Sequence, residues 1–562
     1  MALELVIRGG KVVDGSGLAA FTADVAIRDG RIVQIGRVAE RGRREIDADG
    51  LLVTPGFIDA HTHMDAQINW DPLGTSSCWH GVTSVVMGNC GFTLAPVRRG
   101  EEALAVRNLE RAEDISPAAM AEGIAWGWES FSEYLDAMEA LPKGINYAAQ
   151  VGHSALRTWA MGERAFTEAA NPDDLGLMNG ELARAFDAGA VGFTSSRSMH
   201  DQTSDERPVA SRLATWDEIR SLVATVGAKD ALFELAQERS PDHEGRLEFF
   251  GRLRDLAVES GALVTFGVLP MGPRELWEPQ LDALEETAAA GGRMIGQSHS
   301  RGVSMLLSFE TQLPFDRIPE WRAVRSRPLE EQKTLLRDPE VRARLVHAAH
   351  HGNYGQAIGA EAGKPDWDLL RVYQNPLPPN PKVAEIARAR GVDPVECLID
   401  LALEKDLRQF FITLPSPMAD EDLLRVMRHP QTVMTFSDTG AHVTQIVDAC
   451  IQTHLISHWA RDQKAFTIEE AVRMVTLAPA RVWGFNDRGL LREGMVADIN
   501  LIDLDALMPG MPLAVRDLPA GAQRVIMKSD GMVATIVAGQ VLLEGGEHTG
   551  ALPGRLLRRA AR

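Results

Sequence analysis

Cysteine is scarce: Cys78, Cys90, Cys397 and Cys450 are the four in 562 residues. None are spaced as Cys-x-x-Cys, which argues against a disulfide framework or a structural zinc knuckle and suits a reducing compartment. Basic residues are also in deficit, with 58 Lys and Arg against 78 Asp and Glu and a formal net charge of −20. Such a chain repels a phosphate backbone and an anionic membrane surface, so neither nucleic acid nor membrane is an expected partner. No uninterrupted apolar stretch approaches the roughly 18 residues of a membrane helix. The N-terminus, Met1-Ala-Leu-Glu-Leu-Val-Ile-Arg8, alternates like a strand and lacks the basic and apolar regions of a secretory signal. The expected location is the cytoplasm, and the composition leaves a homo-oligomer open.

What remains is an ordinary globular composition, 45% hydrophobic and 24% charged, in a chain long enough to bury a large core. The first fifty residues hold short β-type runs, Leu3 to Ile7, Ala23 to Ile27 and Arg31 to Ile35, with Asp29-Gly30 punctuating a hairpin. From about Leu51 apolar runs alternate with long amphipathic stretches, the texture of β/α units around a parallel sheet. Candidate strands fall at 53–60, 82–87, 146–151, 190–194, 231–236, 262–268, 293–297 and 432–436. Eight closes a (β/α)8 TIM-like barrel, expected over 55–480. A charge- and Pro-rich insertion at about 303–430 is too long for a plain loop; it either covers the barrel mouth or sits peripherally. β texture returns beyond Ala480, so 1–54 and 481–548 are expected to form one small composite β-domain. Residues 549–562 form a basic tail or frayed helix.

The sharpest signal is Pro55-Gly-Phe-Ile-Asp-Ala-His-Thr-His-Met-Asp65. Residues i and i+2 of a strand share a face, so His61 and His63 can point at one ion from the strand's C-terminal end, where barrel active sites form. A bare His-x-His is also compatible with a satisfied structural pair.

Pro-Gly-Phe-Ile-Asp-x-His-x-His after a β-rich head resembles the signature of the amidohydrolase superfamily. Gly81-Val-Thr-Ser-Val-Val-Met-Gly-Asn-Cys-Gly-Phe92 resembles the second-strand motif of its N-acyl-D-amino-acid deacylase (D-aminoacylase) branch. Asn146-Tyr-Ala-Ala-Gln-Val-Gly-His-Ser-Ala-Leu-Arg157 and Gly489-Leu-Leu-Arg-Glu-Gly-Met-Val-Ala-Asp498 are similar to further elements of that branch. The resemblance runs from about residue 2 to about 545. It implies a (β/α)8 barrel with a composite β-domain, a zinc ion or pair, and hydrolysis of an amide. It makes Cys90 a metal-binding thiolate where other relatives use a carboxylated lysine, the alternative being a buried inert thiol. It places the catalytic aspartate at Asp438, in Thr435-Phe-Ser-Asp-Thr-Gly440, able to ligate the ion weakly and to move the proton of its water.

The sequence departs from the branch where a metal-binding His is implied on the fifth strand and another on the sixth. Ala231-Leu-Phe-Glu-Leu-Ala236 and Ala262-Leu-Val-Thr-Phe-Gly-Val-Leu269 contain none. His299 belongs by spacing to the seventh strand and is a weaker ligand candidate, as is Glu234 on the fifth. A single zinc ion on His61, His63, Cys90 and Asp438 is the simpler expectation. His153 either hydrogen-bonds a developing oxyanion or is structural; Arg197 and Arg301 either clamp a substrate carboxylate or make surface pairs. The expected function is metal-dependent cleavage of a small amide such as an N-acyl amino acid. A hydrolase or lyase acting on a cyclic amide or ester, or a catalytically silent ligand-binding homologue, are the alternatives.

Overall fold

Alternation of buried and exposed positions turns the N-terminal run into the strand Leu3–Val12, which pairs antiparallel with Phe21–Arg28. That strand turns back at Asp29 and Gly30, both at positive φ (52° and 70°), into Arg31–Gly36, the two-residue hairpin the Asp-Gly pair calls for. In the computed structural model, which describes residues 2–238, 240, 242–357, 361, 363–446 and 448–559, these strands belong to a nine-stranded sheet. Its other half comes from the far end of the chain: Ile499–Ile502, Met532–Val537, Gln540–Glu544 and Glu547–His548. Ile7, Val25 and Val53 pack with Ile499, Leu501 and Ile536 in one core, so neither terminus buries its apolar face without the other.

The expected strand 53–60 is two strands. Leu52–Pro55 joins the nine-stranded sheet, whereas Phe57–Asp59 pairs in parallel with Val82–Met87. Gly56 is the corner, where a Cβ would meet the Thr83 side chain at 2.2 Å. Asn146–Ala149 follows in parallel with Val82–Met87, and Gln150 links it to Val151–Gly152. From there Gly192–Ser196, Leu232–Ala236, Leu263–Gly267, Arg293–Ser298 and Thr432–Met434 add in order, every pairing parallel. The last and first strands meet through Asp438 N donating to His61 O (3.1 Å) and His63 N donating to Thr439 O (2.7 Å). This is the strand succession of a TIM barrel with an extra sheet. Helices cross between strands, as Pro172–Ala188 does, begun by an Asn171 cap with Pro172 in the first turn and ended at Gly189 (φ 113°).

Residues of the insertion have a core of their own, including Phe315, Trp321, Leu345, Leu398 and Phe411. Helices Pro339–His351 and Pro394–Glu404 start on Asp338 and Asp393, each capping free backbone N–H groups. Strands Met305–Leu307, Phe411–Thr413 and Arg371–Val372 form a small antiparallel sheet at its base. The basic tail does not fray through its described part: Leu556 bridges Tyr147, and Arg558 pairs with Asp136 and Glu139. Residues 560–562 of that tail lie outside the described residues. Among the described residues no helix is long and apolar enough to cross a membrane.

Candidate metal centre

Outward residues of the parallel strands, such as Phe193, Phe233 and Phe266, are buried apolar groups. Inward ones form a polar layer, in which Gln297 Nε2 donates to Thr265 Oγ1 (3.3 Å) and reaches Glu234 Oε2 at 3.5 Å. Above this layer the first strand ends and His61 and His63 turn into the mouth, both buried. His61 Nδ1 lies 2.6 Å from Gln297 Oε1, which orients the ring, and Phe436 packs edge-on against it at 4.1 Å. His61 Nε2 is then left facing Cys90 Sγ at 3.5 Å and Asp438 Oδ1 at 3.6 Å, while His63 Nε2 lies 3.0 Å from the same Oδ1.

Backbone strain holds the other two donors. Cys90 sits at φ 53° and Asp438 at φ 61°, left-handed conformations that cost an L-residue about 1–3 kcal/mol and collect at functional sites. The Asp438 turn closes on the His pair so tightly that a Cβ at Gly440 would meet His63 O at 2.5 Å. Cys90 N donates to Glu234 Oε1 (3.0 Å), and the same oxygen lies 3.7 Å from His61 Nδ1. Ligand atoms of His61, His63 and Cys90 fall within 4.8 Å of one another, the grouping that qualifies among the described residues.

The electrostatics call for a cation. Burial disfavours an imidazolium at His63, but the Glu113 and Asp438 carboxylates outweigh it and push its pKa up to about 10. Burial also pushes Asp438 up, yet hydrogen bonding and charge from His63, with His442 and His61, hold it well below the usual carboxylate range. Burial and the nearby Glu234 and Glu113 carboxylates push the Cys90 thiol up, so a thiolate there needs a positive partner. Among the described residues, buried Glu113 Oε2 and His63 Nδ1 have no hydrogen-bond partner. A soft thiolate, two imidazoles and a carboxylate converging in this way fit zinc.

Several expected site residues lie elsewhere. His299 follows the seventh strand, as spacing implied, but its Nδ1 accepts from Arg301 N (3.1 Å) and its Nε2 faces Asp448 at 3.5 Å, outside the donor group. Glu234 occupies that group's edge instead. His153 is fully buried, its ring nitrogens 2.8 Å from Ser195 Oγ and 2.9 Å from Glu218 Oε1, so it has no atom left for an oxyanion. Arg197 donates to Glu238 (2.7 Å) and stacks over Trp216 at 5.0 Å, and Arg301 lines a different cavity. Neither is placed to clamp a carboxylate at the centre. Glu113, Asp201, His442 and Gln297 escaped the sequence reading. Gln297, two residues before His299, was within reach of an inward-facing argument; Glu113 stands in a loop with no motif around it.

The centre opens into a cavity of about 660 Å³. One wall is acidic, with Glu113 pushed by burial up to about 8 and Asp201 to about 6. Apolar lining comes from Phe250, Leu269, Met271 and Trp277. A family model described as the amidohydrolase family matches residues 44–543. The chain belongs to the amidohydrolase family. This amidohydrolase is 26% identical to a D-aminoacylase of Alcaligenes xylosoxydans xylosoxydans, over 99% of its own length and 98% of the relative's. It is 29% identical to an N-acyl-D-glutamate deacylase of the same organism, over 100% and 97%. Its fold matches the solved structure of an N-acyl-D-glutamate deacylase from Bordetella bronchiseptica complexed with zinc and a phosphonate inhibitor, at a TM-score of 0.64, 23% identity and 99% and 100% coverage.

Proposed function

We propose that this amidohydrolase is a zinc-dependent enzyme that cleaves the amide bond of an N-acyl amino acid or related small amide. The observation that carries the reading is the convergence of His61, His63, Cys90 and Asp438 on one point at the foot of a substrate-sized cavity, in a chain whose relatives are named as deacylases. One ion is proposed, held by those four side chains, with Glu234 standing where the branch has its fifth-strand His. When bound, the ion supplies Lewis acidity that polarises the scissile carbonyl and acidifies water. Asp438, ionised at neutral pH, accepts a proton from the attacking water at a carboxylate oxygen and delivers it to the leaving nitrogen. Gln297 fixes the His61 ring and Glu113 steadies His63, while the apolar lining excludes water and takes the acyl or side-chain carbons.

We further propose that the eight parallel strands close as one barrel over 55–480 and that the 303–430 insertion borders its mouth, a reading supported by Val303, Met305 and Pro415 in the cavity lining. The composite β-domain, 1–54 with 481–548, is the third part of this division. A cytoplasmic location is proposed too, supported by the lack of any disulfide among the four cysteines in the described residues. Glu234 and Thr265 on the fifth and sixth strands favour a second reading in which the same machinery opens a cyclic amide or ester. The test is a turnover assay of the zinc-loaded protein on N-acyl amino acids of both hands, cyclic amides and esters. Release of a primary amine from the first set supports the proposal, and turnover confined to the others overturns it in favour of the second reading.

A further inference from the structure

Arg301, unused by the reaction centre, lies at a second cavity of about 330 Å³, within the size range of small-molecule sites. The two cavities share a wall. Ser304 lines the second cavity while its neighbours Val303 and Met305 line the first, as residues of an extended segment alternate between faces. Leu414 and Pro415 divide in the same way.

The second cavity brings together side chains from three separate parts of the chain. Arg301 comes from the end of the seventh strand, Arg371 from the insertion's small sheet, and His454 from the short helix Ile451–His454 beyond the eighth strand. The Arg301 guanidinium is oriented from behind: Nη1 donates to Cys450 Sγ at 3.1 Å, and Asp448, which does not line the cavity, stands 3.6 Å from Nε. Arg371 Nη1 donates to Asn380 O at 3.0 Å. His454 is 4% exposed, and its Nδ1 has no hydrogen-bond partner among the described residues. Burial, then the charge of Arg301, pushes the pKa of His454 well down, so its ring is neutral and can present one N–H. A buried imidazole nitrogen without a partner is costly unless a ligand or water meets it. Asp420 is the carboxylate in the lining, and its charge acts on His458. The rest of the lining is mixed, with polar Ser300, Tyr373, Asn380 and Thr413 beside an apolar stretch that includes Leu414, Met418 and Trp459.

Two guanidiniums and a neutral N–H donor in one cavity with the apolar stretch of Leu414, Met418 and Trp459 match one planar anion attached to a hydrocarbon body. We infer that this cavity is a binding site for a small monocarboxylate, its carboxylate held by Arg301, Arg371 and His454 and its apolar body packed on Leu414, Met418 and Trp459. The inference is independent of the reaction proposed for the first cavity.

Thermal melts of the full-length, zinc-loaded protein with octanoate, octylamine or octanol at equal millimolar concentrations test it. Octanoate alone is expected to raise Tm saturably, and Arg371→Gln and His454→Leu are each expected to weaken half-saturation by about tenfold or more. Absence of an octanoate-specific rise overturns the inference, as does a rise that survives both substitutions, which would locate the acid elsewhere. Should His454→Leu fail to fold, Arg371→Gln decides alone, because that side chain is only half-buried and its loss leaves the barrel intact.

Discussion

Arg157, His153 and Glu218 form one buried ionic cluster in the barrel wall, and His63, Glu113 and Asp438 form another at its mouth. In the first, Glu218 is met by a guanidinium that cannot lose its charge, and Arg157 and His153 both bond to it. In the second, His63 lies between Glu113 and Asp438, Asp438 also faces His61 and His442, and among the described residues His63 Nδ1 and Glu113 Oε2 have no hydrogen-bond partner. The wall cluster pairs its opposite charges internally, although Arg157 Nε also has no hydrogen-bond partner among the described residues, and it fastens the third and fourth β/α units. The mouth cluster instead turns two imidazole nitrogens, a thiol and a carboxylate toward one another, the donor set that a cation would complete. The same residue type, a His after a barrel strand, is thus structural at 153 and ligand-like at 63 because of what its neighbours leave unpaid.

Four measurements test this contrast. The largest effect concerns Asp438: Asp438→Asn should lower kcat/KM by about 10²–10⁴-fold with the melting temperature nearly unchanged, as steady-state kinetics and a thermal scan would show. At the wall cluster the damage should fall on stability instead. Glu218→Gln leaves Arg157 buried without its counter-charge and should cost about 3–5 kcal/mol in urea unfolding, while the folded fraction keeps its turnover.

Acid should reveal the same difference. Burial pushes Glu218 up, but the His153 hydrogen bond and the Arg157 charge outweigh it and hold the folded pKa at about 2. Because that value lies below the ordinary 4.5, the stabilisation, about 3 kcal/mol, is fully present above pH 4.5 and is lost as pH falls toward 2. Urea midpoints between pH 5 and 3 should fall more steeply in the parent protein than in Glu218→Gln; parallel curves would contradict the pairing. The smallest effect is expected at Glu113, which touches the centre only through His63. Glu113→Gln should weaken zinc affinity by about 10–100-fold, measured by competition with a chelator, with the melting temperature of the zinc-free protein held or raised.

Much of the fold is legible in the sequence because period-two alternation and Gly or Asp punctuation are local signals. Eight strand positions, the Asp29-Gly30 hairpin and the pairing of head with tail rest on them. The split at Gly56 was not legible, since the close approach of Thr83 that forces it is a tertiary contact. The donor group was legible where donors sit near strand ends in recognisable motifs, as His61, His63, Cys90 and Asp438 do. His153 and Arg197 had the right chemistry and the wrong neighbours: Glu218 and Glu238 lie 65 and 41 positions away in the chain and already engage them, while Arg301 faces a different cavity. Glu113 gave no signal because its role exists only once its loop meets the barrel mouth.

The account turns on whether the mouth cluster holds a cation. Elemental analysis of the purified protein after zinc loading and removal of free metal measures this directly, alongside Cys90→Ala and His63→Ala. About one zinc per chain in the parent, lost in both variants, is the predicted result. No bound transition metal in the parent, or zinc retained undiminished by both variants, would contradict it.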